Sequence, residues 1–402
     1  MKILHTSDWH LGKRLDVHDR LDEQRLALAW LRETIITENI EVLLVAGDVF
    51  DTATPPNEAR KLYYHFLSSL LGTSCRHIVI VGGNHDSAAM LSADKTLLEA
   101  LQIYVVGGAL PTKTDEILLL RNAKNEVALI VAAVPFLHER DLRQTALTDT
   151  IESRFVAIQQ GIKAHYDEIG DAVAVLKTKY NVPAIATGHL FARNATDDKE
   201  KGSRIYVGNL ENIAAADFHA AFDYVALGHI HRAQSLLPHV RYSGSLIPLS
   251  FSEIKNEKSV TILDFDTKKN ENTPIAISTF LPVFRKLLQI KGTLAEIEMQ
   301  LAALAPAETG LDSWTEIIVE TDSPLPNLAQ DLQDFIQNRP VQIIKFSVAL
   351  TQNSTAGMHD FEGQTLANLD VEDVFLKRCE SENINETEQV ALRQTFLELL
   401  EL

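Results

Sequence analysis

The chain has 402 residues, is 46% hydrophobic and 23% charged, and carries a formal net charge of −18. Such totals predict a globular protein of two or three domains. The acidic balance argues against a protein that grips nucleic acid through a general basic face. No apolar run reaches the ~18–20 residues of a membrane helix, and two cysteines far apart in sequence indicate neither a disulfide framework nor a thiolate zinc site. The N-terminus lacks a basic region followed by an apolar stretch and a cleavage site, so a cytoplasmic location is expected.

In chain order, the first apolar run is residues 3–4, followed at once by Ser-Asp-Trp-His. Helical periodicity covers 19–39, and a second apolar run at 42–46 ends in Gly-Asp-Val-Phe-Asp. Another helix is expected over 57–71, opening after Pro55 and Pro56, which suit a helix start. The run at 78–81 ends in Gly-Gly-Asn-His-Asp. Residues 137–180 read as helical, with apolar residues at three- and four-residue steps. Runs at 184–187 and 224–227 then end in Gly-His and Gly-His-Ile-His, and strands at 241–247 and 259–265 follow.

Strand–helix–strand connections give parallel pairing, and in such sheets ligands gather at the carboxyl ends of the strands. All five polar clusters would sit there. They supply Asp8, His10, Asp48, Asn84, His189, His229 and His231: carboxylates, imidazoles and one amide, with no thiolate. That mixture suits manganese, iron or zinc better than magnesium or calcium. Asp8 and His10, like His229 and His231, stand two apart, which places both side chains on one side of an extended backbone. Gly47, Gly82, Gly83, Gly188 and Gly228 precede the ligands, where the chain must turn and let a substrate come close. A lone Gly-His is usually a turn with a satisfied histidine. Five clusters with complementary ligand types at five strand ends make chance a poor account. Trp9, between Asp8 and His10, points the other way and is expected in the core.

Beyond residue 275 the pattern alternates strand and helix, with breaks at 323–326 and at Pro340, predicting a small α/β domain over 275–350. After a polar stretch at 351–364, residues 365–402 suggest two short amphipathic helices. Residues 370–402 hold nine acidic and three basic residues, so DNA is an unfavourable partner for this tail. Helix-in-groove docking to a protein is the natural use of its apolar faces.

Asp-x-His, Gly-Asp-x-x-Asp, Gly-Asn-His-Asp, Gly-His and Gly-His-x-His, in this order, resemble the calcineurin-like metallophosphoesterases. Within them the chain is similar to the SbcD family of DNA double-strand-break repair nucleases, strongly over residues 1 to about 265 and more loosely to the end. The resemblance implies an α/β fold: a two-sheet core flanked by helices over 1–270, a capping domain over 275–350 and a helical tail over 365–402 that binds a partner. It implies two metal ions, manganese by preference. One would be held by Asp8, His10, Asp48 and His231, the other by Asp48, Asn84, His189 and His229, with Asp48 bridging. His85 resembles a catalytic histidine that stabilises the transition state or protonates the leaving oxygen, and Asp86 is placed in sequence to orient it. Several archaeal and eukaryotic relatives carry a second active-site histidine where this chain has Asp51, so the role of that position does not carry over.

The activity implied is 3′ to 5′ exonuclease action on duplex ends and endonuclease action on hairpins and single strands. It is coupled to the SMC-like ATPase SbcC, in a heterotetramer holding a dimer of this chain at the nucleoid. No Gly-x-x-x-x-Gly-Lys-Ser/Thr loop is present, so ATP use must come from that partner. Lys13, Arg14, Arg193, Lys199, Lys201 and Arg204 are candidate phosphate contacts. Two other readings compete: a phosphomonoesterase on the same bimetal core, and a scaffold with a degenerate site. Thr52 after Asp51 and Asp86 at the end of the third motif depart from the phosphatase pattern, and all seven ligand candidates are present.

Overall fold

The computed structural model describes residues 1–142, 150–192, 195, 213–265, 274–304, 308–322 and 328–350. The chain opens with β1 (Lys2–Thr6), a short ribbon of β2 (Arg14–Leu15) and β3 (His18–Asp19), helix α1 (Leu21–Thr37) and β4 (Val42–Ala46). Helix α2 (Asn57–Ser69), β5 (His77–Val81), the short helices α3 (Ala88–Leu91) and α4 (Lys95–Ala100), and β6 (Ile103–Val106) follow. Next come β7 (Ile117–Arg121), β8 (Val127–Ala132), the single turn α5 (Glu139–Leu142), the 30-residue α6 (Ile151–Tyr180) and β9 (Ala184–His189). Strands β10 (Tyr224–Gly228), β11 (Gln234–Leu237), β12 (Val240–Tyr242), β13 (Ser259–Asp264) and β14 (Ile275–Phe280) complete the two main sheets.

The first sheet runs β14-β13-β1-β4-β5-β6 and the second β11-β12-β10-β9-β8-β7. Within the first, β1, β4, β5 and β6 are parallel, and within the second, β8, β9, β10 and β12 are parallel. The central strands read as unbroken apolar runs because both of their faces are buried. On β4, Val42 and Leu44 join Val131, Ile185 and Ala226 in the layer between the sheets. Leu43 and Val45 face the other way, into a cluster with Leu28, Leu31 and Phe66 of α1 and α2. The outer face of the second sheet is covered by α6, through Ile162, Tyr166, Ile169 and Val173. Thr150 caps α6 by accepting the Ser153 N–H, and Asn181 ends it with φ 52°.

Trp9 is buried as expected, edge-on to Phe66, and its indole N–H donates to the Thr6 hydroxyl at 3.0 Å. Two expectations change. The strand expected over 241–247 stops at Tyr242, because the chain turns at Gly244, where φ is +79° and a Cβ would meet the backbone of Ala233 and His231 at 2.8 and 2.9 Å. Strand β14, inside the expected capping domain, pairs with β13 and so extends the first sheet past residue 270.

Two compact units result: Met1–Gln289 with Ala303–Glu316 and Asn338–Lys345, and a smaller one of Ile290–Ala302, Ile317–Gln337 and the chain from Phe346 on. A separate three-stranded sheet is ordered β15 (Leu287–Gly292), β16 (Ser313–Thr321) and β17 (Val341–Leu350). In the smaller unit α7 (Leu294–Ala302) and α8 (Leu328–Ile336) bury Ile297, Leu301, Leu328 and Leu332. Among the described residues no helix is long and apolar enough to cross a membrane. The expected helices of 365–402, and Arg193, Lys199, Lys201 and Arg204, lie outside the described residues.

Candidate metal centre

The loops after β1, β4, β5, β9 and β10 converge at one edge of the paired sheets. The loop after β1 continues the pairing with β4: the N–H groups of Asp8, His10 and Leu11 donate to the carbonyls of Gly47, Asp48 and Val49 at 2.9–3.0 Å. Asp8, His10, Asp48 and His229 nevertheless have positive φ, at 51°, 44°, 49° and 98°. The two-apart spacing therefore acts through left-handed backbone, and the extended geometry expected from it is not used. Four strained ligand candidates at one place are the kind of cost that a site retains when its surroundings over-determine it.

The glycines explain how the side chains come so close. A Cβ on Gly47 would lie 2.2 Å from Nδ1 of His189, and one on Gly228 would lie 1.9 Å from the Ala46 carbonyl oxygen. Only a hydrogen fits at either position. The bare backbone lets the ends of β4, β9 and β10 close on one another.

Two clusters follow. In the first, ligand atoms of Asp8, His10 and His231 lie within 4.8 Å of one another, and in the second, those of Asp8, Asp48 and His189 do. Asp48 Oδ2 stands between the sets, 3.4 Å from His10 Nε2 and 3.3 Å from His189 Nε2. Asn84 Oδ1 is 3.0 Å from both His189 Nε2 and His229 Nδ1. The His229 N–H donates to both oxygens of Asp8, at 3.0 and 3.2 Å. All seven candidates are thus in one place, with Asp8, His10, Asp48 and His189 buried and Asn84 and His85 exposed at the mouth.

Several backing groups orient the rings. His189 donates its Nδ1–H to the Ala46 carbonyl at 2.9 Å, which leaves Nε2 facing Asp48. His10 Nδ1 meets Asp51 Oδ1 at 3.2 Å, and Asp51 is held in turn by Lys13 Nζ at 3.1 Å. His231 Nδ1 meets Glu253 Oε1 at 2.8 Å. Asp51 was legible as a motif residue without a role. Glu253 was missed, because no spacing in Phe-Ser-Glu-Ile ties it to a histidine 22 residues earlier.

Asp86 does something other than expected. Its carboxylate accepts the backbone N–H groups of Val49, Phe50 and Gly83 at 2.9–3.1 Å, lacing the loops after β4 and β5 together. The partner of His85 is instead the Asp51 carbonyl, which accepts from Nδ1 at 2.8 Å, and the expectation that Asp86 orients His85 is corrected accordingly. Burial, with the Asp48 charge beside it, pushes the Asp86 carboxyl up to about 6.

The donor set fits divalent cations. Burial disfavours a charged His189, yet the adjacent Asp48 carboxylate outweighs it and raises the imidazole to about 9. Burial likewise opposes ionisation of Asp48, and the imidazoles around it reverse the effect and lower its pKa well below the ordinary value. The pocket therefore calls for positive charge among buried carboxylates. His10 Nε2, buried and without a hydrogen-bond partner, is a ring nitrogen directed at that space. Hard oxygen and borderline nitrogen donors with no sulfur suit a first-row divalent ion.

A family model of the calcineurin-like phosphoesterases matches residues 1–233. A second, described as the type 5 capsule protein repressor C-terminal domain, matches residues 283–383. The SbcD subunit of the nuclease SbcCD from Escherichia coli K12 is 35% identical over 403 aligned residues, covering 98% of this chain and 97% of its own length. The corresponding SbcCD subunit from Rhodobacter capsulatus is 34% identical, covering 89% of each chain, and that of Bacillus subtilis is 38% identical, covering 66% of each. Among solved structures, a dimetal phosphatase from Danio rerio aligns with 66% of this chain and 93% of its own, at 12% identity and a TM-score of 0.39. The chain belongs to the calcineurin-like phosphoesterases and, within them, to the SbcD family.

Proposed function

We propose that this chain is a nuclease that hydrolyses DNA phosphodiester bonds at two divalent cations, manganese by preference. The observation that carries the proposal is Asp48 Oδ2, placed within 3.4 Å of a ring nitrogen from each ligand set, where a carboxylate can serve both ions. Asp8, His10, Asp48 and His231 would hold one ion, and Asp48, Asn84, His189 and His229 the other. Two such ions, when bound, neutralise the phosphodiester and lower the pKa of an attacking water.

The chain's own groups do the rest. His85 N–H donates to Asp48 Oδ1 at 2.9 Å, fixing the loop that carries both His85 and Asn84 to the shared carboxylate. With Nδ1–H given to the Asp51 carbonyl, the exposed His85 ring presents Nε2 outward. From there the protonated ring gives a proton to the leaving sugar oxygen. Asp86 acts by holding the loops. The names of the relatives support the pairing with an SbcC-type ATPase, through residues 365–402, in a heterotetramer that acts on duplex ends and hairpins with 3′ to 5′ polarity.

The test is release of nucleotides from an end-labelled duplex by the purified chain with and without its ATPase partner, after chelation and after return of manganese. Metal-dependent digestion that His85→Ala removes while metal content is unchanged is the expected result. No digestion under any of these conditions, with brisk hydrolysis of a phosphomonoester, overturns the proposal in favour of a phosphatase.

A further inference from the structure

A buried ion pair lies behind the Asp8–His10–His231 set. Glu253 and Lys258 are 6% and 8% exposed, and Lys258 Nζ reaches Glu253 Oε2 at 2.6 Å. The other oxygen of Glu253 meets His231 Nδ1 at 2.8 Å. Lys258 Nζ also donates to the carbonyl oxygen of His231 at 3.1 Å and to the Ser245 hydroxyl at 2.9 Å. The Leu249 N–H donates to Glu253 Oε2 at 3.1 Å. His231 is therefore gripped twice by one pair, at its ring through Glu253 and at its backbone through Lys258.

A buried ion pair is a costly way to gain stability, since desolvation of both charges offsets most of their attraction, so its presence here calls for another reason. A carboxylate on the far nitrogen of a ligating imidazole fixes its tautomer and orientation and raises its basicity. The comparable support of His10 by Asp51 and Lys13 is wetter, with the Lys13 side chain 32% exposed. That of His189 is a neutral carbonyl. Glu253 and Lys258 form the driest and most fully bonded of these supports.

We infer that Glu253, held by Lys258, is a positioning residue for His231: it keeps Nδ1 as the donor and so reserves Nε2 as the ligand atom beside Asp8 and His10. The inference rests on the metal reading of the site. Neither residue touches the substrate. Their effect is on how tightly one of the two ions is held.

The experiment compares wild type, His231→Ala, Glu253→Gln and the double variant Glu253→Leu with Lys258→Met. Manganese binding is followed by equilibrium dialysis, folding by thermal melts, and the ring by nitrogen-15 NMR of the metal-free chain. Wild type is expected to bind two ions and to show the Nδ1–H tautomer of His231. His231→Ala should lose one ion. Both Glu253 variants should weaken one ion by about 10- to 100-fold and leave the other in place. The double variant removes both buried charges, so a purely structural role would be restored in it, whereas the positioning role stays lost. Two ions held at wild-type affinity in a folded double variant, while His231→Ala loses one, would overturn the inference and leave the metal reading standing. Wild type that binds no manganese would overturn both.

Discussion

Asp51 Oδ1 stands 3.2 Å from Nδ1 of His10, on the side of the ring away from Asp48. That contact gives Asp51 a physical role that motif comparison withheld: it orients a ligand candidate and keeps its Nε2 directed at the shared carboxylate. Asp51→Ala is expected to weaken one manganese ion by about 10- to 100-fold, with Asp51→Asn less affected because an amide oxygen still accepts from Nδ1–H. Equilibrium dialysis measures this directly. Unchanged affinity in Asp51→Ala would remove Asp51 from the site.

His85 is exposed and is outside both ligand clusters that contain Asp8. Its replacement by alanine should lower turnover by about 10²- to 10⁴-fold, the usual range for a general acid. Single-turnover assays beside metal analysis check this. A loss of bound manganese in His85→Ala would reassign His85 from proton donor to ligand.

Gly228 has no room for a methyl group, with the Ala46 oxygen 1.9 Å and His189 Nδ1 2.9 Å from where a Cβ would sit. Gly228→Ala must push β10 away from β4, and Ala46 is also the acceptor that holds the His189 ring. We expect a stability loss of about 1–3 kcal/mol, read by urea unfolding, together with weaker metal binding. A variant of wild-type stability and metal affinity would contradict the close approach.

His5 is buried between the sheets, receiving the Tyr224 hydroxyl at Nδ1 (3.1 Å) and donating Nε2–H to the Leu227 carbonyl (3.2 Å). Burial, aided by the Arg241 charge, lowers its pKa from 6.5 to about 3. The folded pKa is the depressed one, so between these values the unfolded chain binds the extra proton. The stabilising contribution is complete above pH 6.5 and is lost as pH falls toward 3, at a slope of up to about 1.4 kcal/mol per pH unit. His5→Gln should be less stable at pH 8 and show a shallower acid-side decline in urea unfolding. Parallel profiles for the two proteins would show that the His5 ring is not the titrating group.

Removal of divalent ions should lower the melting temperature, because a ligand that binds only the folded state stabilises it by about 2.7 kcal/mol at 100 times its Kd. Asp48→Asn should abolish most of that gain. A thermal melt of wild type that is indifferent to manganese would count against the site as a metal centre.

Much of this was legible in the residue order. Alternation of apolar strands and amphipathic helices marked the parallel sheets, since strands buried on both faces must be apolar throughout. The polar clusters that end five of those strands could only lie at their carboxyl edge. Ligand identity followed, because the donor chemistry resides in the residue types themselves. Other features depended on contacts between residues far apart in the chain. Asp86 was read beside His85 because the two are adjacent in sequence, yet its carboxylate is captured by N–H groups of the loop after β4. Glu253 and Lys258 come from a segment with no motif, and β14 joined the first sheet through pairing that its own composition did not announce. Local order sets which groups can act and at which strand ends they stand. Which backbone donor or distant carboxylate completes each one is a matter of three-dimensional neighbours, decided only when two sheets close over glycines and every buried polar atom must find a partner.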